Sequence, residues 1–192
     1  REQEIVIMFI ELRDFTPISA KLLPYDTVYL FNEYFRIAGE AIEGVGGKID
    51  KFIGDGIMAI FSQHKLLKEN CRSALLASKQ ISHGMEALNL ESEDDFNASL
   101  RIGIGIHAGT SIVGELGHGN AIAETAIGEC VNIASRLEQL TKDEGCELIV
   151  SADLHDGSEL TQQPLSRKEV KVRGKMDPVT VCIFNEAKDL TI

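Results

Sequence analysis

The chain opens on an unbroken apolar run, Ile5 to Ile10, rich in β-branched residues and closed by Glu11. Continuous rather than alternating hydrophobicity predicts a strand buried on both faces. Thr16 and Pro17 then read as an N-cap with proline at the first helical position. Val28, Phe31, Phe35, Ala38 and Ile42 follow at spacings of three and four up to the glycines Gly44, Gly46 and Gly47. That spacing predicts one long amphipathic helix with a glycine stop. Residues 48–53 alternate, with Ile49, Lys51 and Ile53 on one face, and Gly54-Asp55-Gly56 offers positive φ for a tight turn into Ile57 to Phe61. The expectation is a β-hairpin with an aspartate at its tip.

A second long helix is predicted from the seam Leu67, Cys71, Ala74, Ser78, Ile81, Met85 and Leu88, ending at the polar loop Glu91 to Asn97. Leu100, Ile102, Ile104 and Ile106 alternate with Arg101, Gly103, Gly105 and His107, so one face of this strand is apolar and the other nearly free of side chains. Glycine there allows another backbone or a ligand to come close. A Gly-rich, weakly patterned segment 109–123 precedes a helix from about Glu129 to Asp143, striped by Ile133, Leu137 and Leu140. Short strands are expected near Glu147 to Val150, Val170 to Val172 and Val179 to Phe184. The order β-α-β-β-α-β followed by α-β-β predicts an α+β fold with a ferredoxin-like core and additions, a doubly wound α/β sheet being the competitor. In the ferredoxin-like arrangement the first two strands run parallel with the third between them. Glu11 and Asp55 then meet at one edge of the sheet.

With 192 residues and 44% apolar content the chain can bury a full core, and residues 1–192 are most simply one domain. Thirty acidic against 19 basic residues give a net charge of −11, which argues against nucleic acid as a partner and suits a protein that holds divalent cations. Cys71, Cys130, Cys146 and Cys182 lack metal-site spacing and read as reduced thiols of a cytoplasmic protein. No stretch reads as a signal peptide or as a membrane span, so no membrane contact is expected within these residues. Arg1 lies so close to the first strand that this is expected to be the catalytic piece of a longer protein, with a regulatory domain or membrane anchor in the parent chain.

Two carboxylates at one sheet edge are a ready ligand pair for a hard divalent cation, Mg²⁺ or Mn²⁺, although Asp55 in a turn and Glu11 at a strand end are also ordinary solvated positions. Asp14-Phe15-Thr16-Pro17 opens a helix whose free N–H groups could cradle a polyphosphate, or simply cap it. Lys51 is four strand residues from Asp55, about 13 Å in an extended chain at roughly 3.3 Å per residue. Either the lysine is solvated or the two residues serve different binding sites, which would require a dimer whose sites borrow from both chains. Asn132 and Arg136, at i and i+4, can project toward one point and hold charge developing on phosphorus. Arg173 and Lys175 are either solvated charges or a clamp for terminal phosphates.

Phe9 to Thr16, Gly46 to Gly56, Leu100 to Gly109, Thr125 to Arg136 and Val172 to Lys175 together resemble, in order, the signature blocks of class III nucleotidyl cyclase catalytic domains of the adenylyl type. The resemblance implies that Glu11, Asp55 and the backbone carbonyl of Leu12 hold two metal ions, Mg²⁺ or Mn²⁺, per active site. It also implies that Lys51 and Thr125 read the purine, that Asn132 and Arg136 are the transition-state residues, and that Phe15, Thr16, Gly54 and Arg173 or Lys175 face the triphosphate. The segment around 110–122 corresponds to an arm that reaches across a head-to-tail homodimer. The implied activity is conversion of ATP to 3′,5′-cyclic AMP and pyrophosphate by two-metal chemistry, the lysine suiting the acceptor N1 of adenine.

Three positions depart from the family pattern. Glu11 replaces the first metal aspartate, Asp14 stands where glycine is common, and Cys130 stands where threonine is common. A longer carboxylate displaces an ion by about 1 Å, which can cost roughly 100-fold in rate and favours Mn²⁺ over Mg²⁺. The alternatives to an active adenylyl cyclase are therefore an impaired, nucleotide-binding regulatory domain, and a guanylyl cyclase.

Overall fold

The computed structural model describes residues 1–96, 99–119, 122–172 and 177–192, with the side chains of residues 93–96 left aside. The strands are β1 (Glu2–Arg13), β2 (Lys48–Ile53), β3 (Gly56–Phe61), β4 (Arg101–Leu116), β5 (Ala123–Ile127), β6 (Leu148–Ser151), β7 (Ser166–Val170) and β8 (Val179–Phe184). The helices are α1 (Phe15–Ser19), α2 (Pro24–Gly44), α3 (Leu67–Phe96), α4 (Glu129–Glu144) and α5 (Ala152–Gly157). Among the described residues these strands form one sheet in the order β2-β3-β1-β4-β6-β8-β7, with β5 paired to β4. The pairings β2·β3, β3·β1 and β1·β4 are antiparallel, and only β4·β6 is parallel. This is the ferredoxin-like βαββαβ core with additions, and the doubly wound alternative is excluded.

β1 is buried on both faces, as its unbroken apolar run predicts. Val6, Met8, Ile10 and Leu12 pack with Leu30, Tyr34 and Ile42 of α2 and Leu75 and Ile81 of α3. Ile5 and Ile7 point the other way, into a smaller cluster with Met58, Val113, Ala126, Cys130 and Ala134. A third cluster joins Ile133 and Leu137 of α4 to Ile149, Val181 and Ile183. Burial pushes the Cys130 thiol up to about 12 and the Cys71 thiol likewise, so both stay protonated as packing groups.

Several expected boundaries move. The predicted first helix is two: α1 starts at Phe15 with Asp14 as its cap in the left-handed region (φ 52°), and α2 starts afresh with Pro24 in its first turn. Thr16 is therefore not the cap, and Val28 is exposed rather than in the stripe. The left-handed cap explains why glycine suits position 14; aspartate is among the few other residues that tolerate it. α3 continues through the expected loop to Phe96. β4 runs on through the weakly patterned segment to Leu116 and pairs with β5, forming a two-stranded arm.

In β2 the expected alternation breaks. Ile49 pairs with Ala59, but Lys51 pairs with Met58, so one extra residue, Asp50, is bulged into the strand. Cross-strand partners share a face. Ile49 therefore packs with the α2/α3 core, whereas Lys51, Met58, Phe9 and Gly105 make one row on the opposite face.

That opposite face is where α4 lies, and β4 makes room for it. A Cβ on Gly105 would stand 2.1 Å from the Glu138 amide nitrogen and 2.5 Å from the Ala134 carbonyl oxygen, and a Cβ on Gly103 would meet the Arg13 guanidinium and the Thr141 hydroxyl. The side-chain-free patch on β4 thus accommodates a helix backbone and a guanidinium of the same chain. Arg13 Nη2 donates to the Glu138 carbonyl at 2.8 Å and to Thr141 Oγ1, and lies 2.7 Å from Glu138 Oε1 without the alignment of a hydrogen bond. Glu138 is only 4% exposed. Burial raises its carboxyl to about 7, Arg13 opposing and the charges of Glu11 and Asp55 adding to the rise.

Two outcomes follow from this junction. Gly105→Ala forces α4 off the sheet and is expected to cost about 2–3 kcal/mol in urea unfolding. Gly114→Ala, where an added Cβ meets nothing within 4 Å, is expected to change stability by less than about 0.5 kcal/mol. Because the folded carboxyl of Glu138 titrates above its unfolded value of 4.5, its contribution is fully present below pH 4.5 and is lost as pH rises through about 7. Glu138→Gln should remove that slope, so that the wild-type minus variant stability falls by on the order of 3 kcal/mol between pH 4.5 and 8. Parallel pH-resolved unfolding curves for the two proteins would contradict this.

Candidate functional site

Glu11 lies two residues before the end of β1, close to the hairpin turn that carries Asp55, because Ile10 pairs with Ile57 at the start of β3. Both side chains remain partly exposed. Their electrostatic reach overlaps: the Tyr34 hydroxyl beneath them is raised well above its ordinary value, first by burial and then by the charges of Asp55, Glu11 and Glu138. Leu12 has its side chain in the core, so only its backbone carbonyl is available there. Arg13 Nη1 lies 4.0 Å from Glu11 Oε2.

Among the described residues no group of three or more His, Cys, Asp or Glu side chains is placed to hold a metal ion. The donor set expected at this edge is the carboxylates of Glu11 and Asp55 and the Leu12 carbonyl. It fits ions that keep water and phosphate oxygens in their remaining positions, as Mg²⁺ does.

The expected phosphate cradle is modest. α1 is five residues long, and Asp14 pairs with Arg101 at 2.6 Å across the β1/β4 edge. Phe15 is buried with its ring 4.3 Å from that of Phe31, so its side chain packs and only its backbone faces the turn. Thr16 and Gly54 are exposed, the latter at φ 63°.

Lys51 and Thr125, far apart in sequence, meet through the bulge. Thr125 Oγ1 donates to Asp50 Oδ2 at 2.7 Å, and Lys51 Nζ lies 3.2 Å from the same oxygen. The arm makes this contact, with Lys48 Nζ also 3.6 Å from Glu124. Asn132 and Arg136 stand one turn apart on the exposed side of α4, with Arg136 Nη1 donating to Gln139 Oε1 at 3.4 Å. Arg173 and Lys175 lie outside the described residues.

Three participants escaped the sequence reading. Asp50 looked like a strand residue facing away from Lys51, and nothing in the alternation signals a bulge. Glu138 had a signal: Ala134, Leu137, Glu138 and Thr141 follow i, i+3, i+4 and i+7, the spacing of a buried stripe. Arg13 had one too, sharing a strand face with Glu11 two residues earlier.

Residues 1–185 match the family described as Adenylate and Guanylate cyclase catalytic domain. The adenylate cyclase of Anabaena cylindrica is 32% identical over 186 residues, which cover 93% of this chain and 36% of that protein. Adenylate cyclase 1 of Rhizobium meliloti is 32% identical over 149 residues, 78% of this chain and 22% of that protein. The chain thus spans about a third or less of the length of these relatives. Among solved structures, the guanylyl cyclase Cya2 superposes with a TM-score of 0.86 at 25% identity, covering 100% of this chain and 98% of that one. A bacterial light-regulated adenylyl cyclase gives 0.84 at 27%, covering 98% and 54%. With the fold, the ordered blocks and these relatives in agreement, the chain belongs to the adenylate and guanylate cyclase catalytic domain family.

Proposed function

We propose that this chain is the catalytic domain of an adenylyl cyclase, forming cyclic AMP and pyrophosphate from ATP at sites shared by two copies in a head-to-tail dimer. The observation that carries the choice of purine is the convergence of Lys51 and Thr125 on Asp50. Similarity of fold cannot make that choice, since a guanylyl cyclase and an adenylyl cyclase superpose on this chain almost equally well. A lysine ammonium only donates, which suits the bare N1 of adenine and opposes the protonated N1 of guanine.

In this reading Lys51 donates to N1, Thr125 accepts from the exocyclic amine, and the turn at Phe15, Thr16 and Gly54 faces the triphosphate. Glu11, Asp55 and the Leu12 carbonyl are the residues that would hold Mg²⁺ or Mn²⁺, which when bound polarises the reacting oxygens and offsets phosphate charge. The bond from the ribose 3′-oxygen to the α-phosphorus forms as the bond from that phosphorus to the bridging oxygen breaks. The 3′-hydroxyl proton passes to solvent and pyrophosphate departs. Asn132 and Arg136 direct an amide and a guanidinium at the charge that develops. Arg173 or Lys175 completes the grip on the terminal phosphates.

Support for a shared site comes from the surface. Phe52 and Ile53 on β2, and Ile112, Leu116, Ile122 and Ile127 on the arm, are exposed large apolar residues flanking Lys51 and Thr125. Apolar residues left exposed on both of these segments are suited to burial by a partner surface. A cleft of about 870 Å³ is lined by Arg13, Arg101, Thr141 and Lys142 among others, and neither Lys51, Thr125 nor Asp55 lines it. A second chain is what would enclose the purine. Among the described residues no helix is long and apolar enough to cross a membrane.

A nucleotide-binding regulatory role is the second reading, favoured by Glu11, whose carboxylate has the Arg13 guanidinium as a rival cation at 4.0 Å. Purified protein is expected to form cyclic AMP from ATP, faster with Mn²⁺ than with Mg²⁺ and not at all after chelation, with Glu11→Asp narrowing the gap between ions. No product with either ion at any protein concentration, followed by turnover in Glu11→Asp at unchanged ATP affinity, selects the regulatory reading. Lys51→Ala and Asp55→Ala should each be inactive alone. Mixed in equal amounts they should recover about a quarter of wild-type activity, since half the dimers then hold one intact site of two. No recovery in chains shown to have exchanged would rule out the shared site.

A further inference from the structure

Asp50 is the most constrained polar group near the purine pair. Its side chain is wholly buried at 0% exposure, on a strand whose neighbours Lys51, Phe52 and Ile53 are exposed. One carboxylate oxygen receives the Thr125 hydroxyl at 2.7 Å and lies 3.2 Å from Lys51 Nζ, and the other, Oδ1, has no hydrogen-bond partner among the described residues. We propose that Asp50 is the positioning residue that sets purine choice, by consuming the single proton of the Thr125 hydroxyl so that only lone pairs remain to face the base. This rests on the reading of Lys51 and Thr125 as the purine-binding pair.

The argument is one of donor and acceptor counting. A threonine hydroxyl has one proton and two lone pairs, and when free to rotate it can meet either a donor or an acceptor. It would then serve a 6-amino purine and a 6-oxo purine alike. Beside the Lys51 ammonium, Asp50 is a carboxylate that can only accept. Thr125 is 5% exposed and, among the described residues, its hydroxyl is the one that hydrogen-bonds this carboxylate, so turning the proton elsewhere would leave the buried Oδ2 with the Lys51 ammonium at 3.2 Å alone and cost its hydrogen bond. The hydroxyl is therefore held as a donor to Asp50 and an acceptor toward the base. A 6-amino group supplies the matching proton, whereas a 6-oxo group would set lone pair against lone pair.

The bulge is what makes this possible. In a regular strand Asp50 and Lys51 would point to opposite faces; with one extra residue in β2 both reach the face on which the arm carries Thr125. Asp50 also restrains Lys51, whose side chain is otherwise 44% exposed, so both purine-facing groups are oriented from one buried carboxylate.

The test compares ATP, ITP and purine riboside triphosphate, which carry an amine, a carbonyl and a hydrogen at C6, by kcat/KM and by equilibrium binding. Asp50→Asn keeps the shape but lets its amide donate to Thr125, freeing the hydroxyl proton. The ATP-over-ITP preference is expected to fall about ten-fold or more, with ITP improving in absolute terms, and the advantage of ATP over purine riboside triphosphate should shrink toward that of Thr125→Val. Asp50→Ala, which also frees the hydroxyl, gives the same readout should the asparagine variant fold poorly. A merely structural Asp50 would lower all three nucleotides equally and leave their ratios intact, overturning the proposal. So would a wild-type protein that binds ATP no better than ITP. A wild-type protein that binds with the stated preference but forms no cyclic AMP would refute the activity proposed above while supporting this role for Asp50.

Discussion

The close approach of α4 to β4 is the constraint on which the rest of the molecule depends. Ala134 and Glu138 set their backbone where a side chain at position 105 would otherwise be, and Arg13 crosses the space left at position 103. Packing at that distance fixes the rotation of α4, because a helix cannot roll when its own backbone is the contact surface. The same seam carries a buried ion pair between Arg13 and Glu138, whose desolvation is repaid only partly by their attraction. Its value lies in register: Arg13 also binds the Glu138 carbonyl and the Thr141 hydroxyl, so the helix has one axial position in which all three are met.

The surplus of acid becomes intelligible at this edge. Glu11, Asp55 and Glu138 lie within one another's fields, with Arg13 among them. Burial and the two neighbouring carboxylates together outweigh Arg13 at Glu138, since its carboxyl rises to about 7 rather than falling. With the carboxylates of both Glu11 and Asp55 at the edge, the single Arg13 guanidinium does not balance their formal charge. An edge left with negative potential after its internal cation has been used is an environment in which further positive charge is favourable.

What the sequence made legible follows from the kind of signal each element carried. The hairpin was readable because Gly54, Asp55 and Gly56 can form one tight turn, and β1 because an apolar run without alternation has few other homes. The seam of α3 from Leu67 to Leu88 was readable because periodicity survives over many turns. By contrast, the break between α1 and α2 was hidden: Thr16-Pro17 and Leu23-Pro24 offer the same proline signal, and only packing of Phe15 on Phe31 selects a short separate turn. The arm was hidden because small residues in β4 beyond Gly109 carry no alternation, their order coming from pairing with β5. At the site, ligand types were readable from their order along the chain, whereas Glu138 and Asp50 owe their importance to contacts with residues more than seventy positions away.

Asp50 illustrates why the unread part matters for chemistry. A one-residue change of register moves a side chain from one face of a sheet to the other. Had β2 stayed regular beyond Ile49, Asp50 would have kept the opposite face but Lys51 would have turned toward the packed α2/α3 layer, at a cost of several kcal/mol for an unpaired buried charge. β2 is an edge strand, where an extra residue disrupts one ladder rather than two. The bulge therefore sits where it is cheapest to make. Its product is a buried acceptor that orders two groups at once, one by charge and one by a hydroxyl proton. A site that distinguishes bases by the direction of a single proton needs such an anchor, because a rotating hydroxyl carries no preference of its own.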